Sequence, residues 1–365
     1  MSTVQTFRLL LPRRQVIKGL AAATLTLSLA GCASSNAPSP TSASPVPTST
    51  RQPSLILYTY NGHTEQVLST VWSPDNQRIA SGSRDKTVQV WDALSGGHAT
   101  TYSGHSGAIA ALSWSPDGQL LASGSWDQTV QIWNPLSGAH LLTYHKHTAD
   151  VTTVAWSPDG KLLASGSADK TVQVWDVSTG ALAQNYRGHT DAVNVVAWSP
   201  NGTFIASGST DQTVQVWEAA TGKLLVTFRK HTGEVNSLAW SPDGKYIASG
   251  SVDKTVRVWE ATTGQLRYTY DGYNVAEAIK NPGKGVLPDL IYAVAWSHNG
   301  QWIAAVTQLY CGDDCGEVLI WDALTQKHFS FYPTLPMFTL VISPNDKYFV
   351  SAVGASQVQV FRLQP

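Results

Sequence analysis

Short runs of alternating apolar and polar residues, rich in β-branched side chains, recur from residue 55 to residue 363 with turn-forming residues between them. One unit shows the pattern: residues 109–114, 120–125, 129–133 and 140–144 each carry the period-two alternation of a half-buried strand. Ser115-Pro116-Asp117-Gly118 separates the first two runs, and close variants stand at 157–160, 199–202 and 241–244. Pro presets φ and Gly accepts a positive φ, so each quartet predicts a tight turn. Each unit is therefore predicted to be a meander of four antiparallel strands.

The units are copies of one another. Trp91, Trp133, Trp175, Trp217 and Trp259 stand 42 residues apart, each ending a stretch that opens with Gly-His or Lys-His and carries an Asp six residues before the Trp. Self-similarity at this period reads as one four-stranded blade per repeat. Trp321 follows Trp259 by 62 residues and Phe361 follows by 40, which makes a longer sixth unit and a seventh. The run 55–60 precedes the first Gly62-His63 and has no blade of its own. It is expected to lie beside 357–361 as the outer strand of the last blade, closing the ring and leaving only short edges. The expected fold is all-β, a seven-bladed β-propeller of four-stranded antiparallel blades.

These residues resemble the WD-repeat family, over about residues 55–363. The resemblance implies a four-residue hydrogen-bond relay in five repeats: His63, Ser81, Asp85 and Trp91; His105, Ser123, Asp127 and Trp133; His147, Ser165, Asp169 and Trp175; His189, Ser207, Asp211 and Trp217; His231, Ser249, Asp253 and Trp259. The residue types suit the task. An indole N–H only donates, a Ser hydroxyl accepts it and donates onward, and imidazole links that hydroxyl to a carboxylate. Losing one member leaves buried partners unsatisfied, at a cost of roughly 1–3 kcal/mol. A Ser-His-Asp set also invites a hydrolytic reading. Five copies at one spacing, each tied to a Trp and none in a Gly-x-Ser-x-Gly turn, point instead to a structural need, and no catalytic residue is assigned. The last two repeats depart from the pattern: Tyr273 takes the His place, Cys311 the Ser slot, and Asp314 lies seven before Trp321. In the seventh, Pro333, Ala355 and Phe361 replace His, Asp and Trp.

Residues 1–31 are different in kind. Arg8, Arg13, Arg14 and Lys18, with no acid, precede an apolar run over 20–30 and then Gly31-Cys32. That run is too short for a bilayer span, which takes about 20 residues, and the segment reads as a secretory signal. Leu29-Ala30-Gly31-Cys32 resembles the bacterial lipoprotein signal, which implies cleavage before Cys32 and a diacylglycerol on its thiol. The competing reading is an ordinary signal with an incidental Cys. Arg13-Arg14-Gln15-Val16-Ile17-Lys18 resembles a twin-arginine export signal, from which Pro12 and Val16 depart. Residues 32–53, rich in Ser, Pro and Thr, are expected to be a lipid-anchored linker, and 54–365 the propeller. The expected location is outside the cytoplasm, anchored on the outer side of a bacterial cell membrane.

Charge and cysteines narrow the classes further. Without residues 1–31, 20 basic residues face 25 acidic ones, and the formal charge moves from −1 to about −5. No basic block remains, which argues against nucleic-acid binding. Cys311 and Cys315 lie four apart, and outside the cytoplasm a local disulfide is the favoured reading over free thiols or a metal site. Asp313, Asp314 and Glu317 are near, but that turn holds no His and the spacing matches no strong zinc pattern. No metal or cofactor is expected.

The meander directs the search for function. Its first-to-second and third-to-fourth turns open on one face and are monotonous. The second-to-third turns and the blade-to-blade loops open on the other, where the sixth repeat places its extra residues, roughly 274–290 and 307–317. Such loops are usually functional or disordered. Of 14 tryptophans, only Trp126 and Trp302 do not close a first or third strand. Trp126 precedes Asp127 at a position that the family resemblance puts on the partner-binding face, where other repeats carry Arg84, Ala168, Thr210 and Val252. The resemblance also brings Gln66, Leu68, Asp150, Thr152, Asn194, Glu234 and Asn236 to that face. Aromatic and Arg side chains are the usual interface anchors; the competing reading lays Trp126 flat on its own blade. The favoured function is a monomeric, non-catalytic scaffold that docks a protein or peptide. The alternative is an enzyme or small-ligand binder acting on sugar or peptide at the channel mouth, with Asp313, Asp314 and Glu317 as acids. A glycosidase needs two carboxylates at a defined separation, and the sequence offers them only within one turn.

Overall fold

A computed structural model describes residues 55–270, 288–309, 316–331 and 336–363. Their strands form seven four-stranded antiparallel sheets, and six of these sheets run in simple chain order. The seventh takes Val341–Ile342, Tyr348–Val353 and Gln357–Arg362 from the end of the chain and Ile56–Tyr60 from its beginning. Tyr58 pairs with Val360 and Tyr60 with Val358, so the two ends of the propeller are joined by a β-ladder. Among the described residues there is no helix.

Local chemistry sets the strand ends. In the second blade the strands are Ile109–Trp114, Leu121–Ser125, Val130–Trp133 and His140–Tyr144. Two of them start one residue later than the alternation predicts, and side chains take the amides at these strand entries: Leu120 N–H donates to Ser115 Oγ and Thr129 N–H to Asp127 Oδ1. The turn glycines take positive φ as expected, Gly118 at +69° for example, and Asn76 and Asp346 adopt the same region in the first and last blades. The first strand of blade seven is only two residues long, Val341–Ile342. Only a single bridge joins Met337 to Val353, and Thr339 Oγ1 takes the Ala352 N–H that a ladder would have used.

The sixth blade corrects another expectation. Part of its extra length is strand rather than loop: Pro288–Trp296, Trp302–Leu309 and Gly316–Asp322 pair as a long meander, with Leu290 opposite Gln308 and Thr307 opposite Glu317. The added Pro288 and Leu290 find partners in Leu309 and Gln308, with Asp289 bulged between them, so the ladder grows before the chain leaves it. Residues 271–287 and 310–315, which hold most of both insertions, lie outside the described residues. Trp302 is half-buried against the cluster that joins blades six and seven, which accounts for one off-ladder tryptophan.

The core is divided among the seams. Seven buried apolar clusters each take residues from two adjacent blades; one joins Val88, Val90 and Tyr102 of blade one to Ile109, Leu121 and Trp133 of blade two. First strands of neighbouring blades pack on each other and form the inner ring. The outermost strand of each blade then lays an aromatic ring on the next blade's ladder tryptophan. The pairs Tyr60–Trp91, Tyr102–Trp133, Tyr144–Trp175, Tyr186–Trp217, Phe228–Trp259 and Tyr270–Trp321 stack at 3.8 to 4.6 Å and within 7° of parallel. In four of them the tyrosine hydroxyl donates to a glutamine two residues before the Trp, as Tyr102 does to Gln131 Oε1 at 2.7 Å. That glutamine's amide reaches back across the seam to the carbonyl of Gly62, Gly104, Lys146 or Gly188. A Cβ at Gly104 would lie 2.4 Å from the Tyr102 hydroxyl, which gives the recurrent glycine before the His a physical reason.

Two outcomes test this architecture. Removing residues 1–60 takes away the closing strand and exposes the Gln357–Arg362 edge, so the melting temperature should fall by about 10 °C or more in a calorimetric scan. The seam between blades four and five replaces the Tyr–Gln pair by Phe228 and Arg257. Phe228→Tyr alone should gain nothing, whereas combining it with Arg257→Gln should show a favourable coupling of about 1 kcal/mol in a denaturant-melt double-mutant cycle.

Candidate functional site

The Asp-His-Ser constellations form in all five repeats. In the second, His105 Nδ1–H donates to Asp127 Oδ2 at 2.8 Å, and its Nε2 accepts from Ser123 Oγ at 2.8 Å. This tautomer follows from the carboxylate, which can only accept. The other four repeats reproduce the same two bonds at 2.7 to 2.8 Å. The fourth member varies. Trp133, Trp217 and Trp259 donate to Ser123, Ser207 and Ser249 at 3.2 to 3.3 Å. Trp91 instead gives its indole N–H to the Tyr58 hydroxyl of the closing strand at 3.0 Å, and Trp175 Nε1 is buried without a partner. The four-residue relay expected for repeats one and three is therefore a three-residue one. At the closing seam, Tyr58 lies where it can take the indole that Ser81 takes elsewhere.

Each relay carboxylate has further donors that the spacing argument missed. Thr129 gives Asp127 Oδ1 both its hydroxyl, at 2.7 Å, and its N–H, while Ser106 N–H reaches Oδ2. The signal was present, since a Thr stands two residues after every relay Asp: Thr87, Thr129, Thr171, Thr213 and Thr255. Burial by itself would raise these carboxyl groups. The hydrogen bonds from His and Thr outweigh it, and Asp127, Asp169, Asp211 and Asp253 are held well below the usual carboxylate range. Asp85 is shifted the same way. All five Ser residues are 0% exposed, so their hydroxyls cannot reach a substrate. The constellation fastens the entering loop of each blade to its second-to-third turn.

That fastening builds the face on which these loops and turns open. Backbone bonds from Arg84 N–H to the Gln66 carbonyl, Trp126 to Ala108, Ala168 to Asp150, Thr210 to Ala192 and Val252 to Glu234 place two varying residues of each blade side by side. Arg84 and Trp126, which belong to adjacent blades, meet: the guanidinium carbon is 5.3 Å from the centroid of the indole. Trp126 is half-buried and carries a cation from the neighbouring blade. Gln66, Asp150 and Glu234 are also half-buried. Burial raises the Asp150 carboxyl above its ordinary value, with a smaller opposing contribution from its own N–H.

Leu68, Thr152, Asn194 and Asn236 share a feature invisible in the sequence. Each is the extra residue of a β-bulge at the start of its blade's first strand, where the register slips between Val67 and Ser69, Val151 and Thr153, Val193 and Val195, and Val235 and Ser237. A bulge re-aims its side chain, and here two of them turn to the next blade. Thr152 Oγ1 donates to the Val193 carbonyl. Asn194 is buried, and its amide donates to the Val235 carbonyl at 3.2 Å and approaches Asn236 Oδ1. Asn194, expected at the contact surface, is thus a clasp between blades in this structure. Leu68 and Asn236 remain half-buried.

Other expected sites lie beyond reach. Cys32, Cys311, Cys315, Asp313 and Asp314, and the side chain of Glu317, lie outside the described residues. Among the described residues no three His, Cys, Asp or Glu side chains are grouped to hold a metal ion. A cavity of about 140 Å³ opens beside Lys146, Asn185 and Arg187 of blade three. It adjoins the outer strand Leu182–Tyr186 and not the inner ring, so it does not coincide with a ligand site at the channel mouth.

Comparison with known proteins finds similarity to propeller repeats. The family described as "WDR19 first beta-propeller" matches residues 110–277, and "WD domain, G-beta repeat" matches 55–92 and 285–322. Similar proteins include "Vegetative incompatibility protein HET-E-1" of Podospora anserina, 55% identical over 38 residues, 10% of this chain and 3% of that protein. "Protein Mut11" of Chlamydomonas reinhardtii is 39% identical over 59 residues, 15% of this chain and 16% of its own. "Cell division cycle 20.1, cofactor of APC complex" of Arabidopsis thaliana is 41% identical over 49 residues, 13% and 11% respectively. The matches span roughly one repeat, a small part of each relative's length.

The relay carboxylates set an acid limit on stability. Their folded pKa values lie below the unfolded value near 3.9, so the unfolded chain binds more protons in that interval. Their stabilisation is complete above that pH and drains away as pH falls beneath it. The melting temperature should therefore be flat between about pH 7 and 5 with respect to these groups and drop below about pH 4. Asp127→Asn should lower it at pH 7 and make the acid limb shallower, read from melts across the pH series.

Proposed function

We propose that this seven-bladed β-propeller, whose repeats match WD-repeat family models, is a non-catalytic docking scaffold that receives a protein or peptide on the face made by its blade-to-blade loops and second-to-third turns. The observation that carries this reading is the Arg84–Trp126 pair. An aromatic ring and a guanidinium from neighbouring blades meet at 5.3 Å, at a position of the second-to-third turn that differs in each of the five regular repeats. Arg and Trp are the side chains that most often dominate interface energy, because each brings a large rigid contact area and little rotamer entropy per contact. The buried relays are consumed in holding the blades, and what varies from blade to blade is this surface. One similar protein is titled a cofactor of a complex, which accords with a role in assembly.

The working arrangement follows from the N-terminal sequence. We propose that cleavage before Cys32 and lipidation of its thiol tether the propeller to the outer side of a membrane, with the Ser-, Pro- and Thr-rich residues 32–53 as the linker. A tethered ring can turn its docking face toward a partner in the same layer, and confinement raises their effective concentration.

Crosslinking on whole cells followed by purification of the propeller tests the reading. Wild type should recover one or a few partners, and Trp126→Ala should reduce that recovery by about tenfold, the loss expected of a central anchor. Equal recovery by the two proteins would remove Trp126 and its face from the proposal.

A further inference from the structure

Arg84 carries an unsettled account. Its Nε and Nη2 are buried, and neither has a hydrogen-bond partner. Among the described residues no carboxylate forms an ion pair with it. The acid beside it in sequence, Asp85, is occupied by His63, Thr64 and Thr87. Its own N–H is occupied by Gln66. A guanidinium cannot relieve burial by losing its proton, so an unpaired edge stays costly until an anion meets it.

The two unpaired atoms are not any two. Nε–H and one Nη–H lie parallel along one side of the guanidinium plane, the edge that takes a carboxylate through two hydrogen bonds at once. The guanidinium carbon lies over the Trp126 ring at 5.3 Å from its centroid, a cation–π contact that restrains the group before a ligand arrives. Arg84 as a whole is only half-buried, and opening its edge requires side-chain adjustment of a kind common at interfaces on binding.

We propose that Arg84, positioned by Trp126, is the receptor for an acidic side chain of the docked protein, a Glu or Asp carboxylate taken side-on across Nε and Nη2. The proposal rests on the docking face above and adds the chemistry of its occupant. The carboxylate would sit at the seam of blades one and two with the indole as the floor beside it. A partner offering an amide in the same place would keep the shape and lose the charge, leaving the fork poorly met.

Peptide pools of seven residues, random except for a central Glu, Gln or phosphoserine, provide the test when titrated against the purified full chain by fluorescence anisotropy. The Glu pool should bind wild type at least about tenfold more tightly than the Gln pool, as a charge-assisted bidentate contact would give. Arg84→Met should erase that gap, while Arg84→Lys, with a charge and no fork, should keep only part of it; melting curves confirm that each variant is folded, and the lysine variant serves if the methionine one is not. Equal binding of the Glu and Gln pools to wild type overturns the proposal, as does a gap that survives Arg84→Met. A phosphoserine pool about tenfold tighter than the Glu pool overturns the choice of carboxylate. If Trp126→Ala weakens Glu and Gln pools that wild type binds alike, the docking face stands and the acidic occupant falls. No binding of any pool up to about 1 mM, with crosslinking unchanged in Trp126→Ala, removes both.

Discussion

The stack of an outer-strand ring on the next blade's ladder tryptophan is the contact from which the rest of this propeller follows. A single four-stranded blade has too little apolar surface of its own to fold alone. Here each blade's tryptophan is sealed by its neighbour's Tyr or Phe, so burial is complete only when the neighbour is present. A chain of such dependencies has two unsatisfied ends unless it closes. The closing strand supplies both needs at once, since it pairs with the last blade and its Tyr60 and Tyr58 cover and hydrogen-bond Trp91 of the first.

Polar chemistry is organised around the same seams. The Tyr hydroxyl, the Gln amide, the Asp-His-Ser set and the Thr that tops each Asp all lie where two segments must be tied together, and nearly every donor there finds an acceptor. Groups that would be reactive in an open cleft are held in fixed tautomers under other residues. This explains how a chain can carry five Ser-His-Asp sets without offering one to solvent. It also isolates the exceptions. Arg84 has two buried donors unmet, and that imbalance is local, unlike the repeated relay.

Blade seven shows what happens when the pattern fades. Phe361 replaces the ladder Trp and stacks on Phe349 of its own blade, and Thr339 and Ser351 side chains take over backbone partners in the first strand. The strand shrinks to two residues, yet the sheet keeps four members because its outer strand comes from the other end of the chain. The sheet spacing tolerates a weak inner strand more readily than a missing outer one, since the outer strand carries the ring that seals the next seam.

Much of this was legible in the chain itself. The 42-residue period, the Ser-Pro-Asp-Gly turns and the alternation of apolar residues are local statements, and they determined the number of blades, the strand positions to within about a residue in the regular repeats, and the His, Ser and Asp of each relay. Fixed spacing made them readable, because residues at constant separation on a regular ladder must land in constant relative positions. Tertiary structure decided what depends on neighbours across a seam. It diverted Trp91 to Tyr58, turned Asn194 at a bulge into an inter-blade clasp, extended the sixth-blade strands into what sequence marks as insertion, and set Arg84 of one blade on Trp126 of the next. Those outcomes turn on a one-residue slip in register or on which side chain wins a shared donor, and these are settled by packing between segments 40 residues apart, which no local pattern encodes.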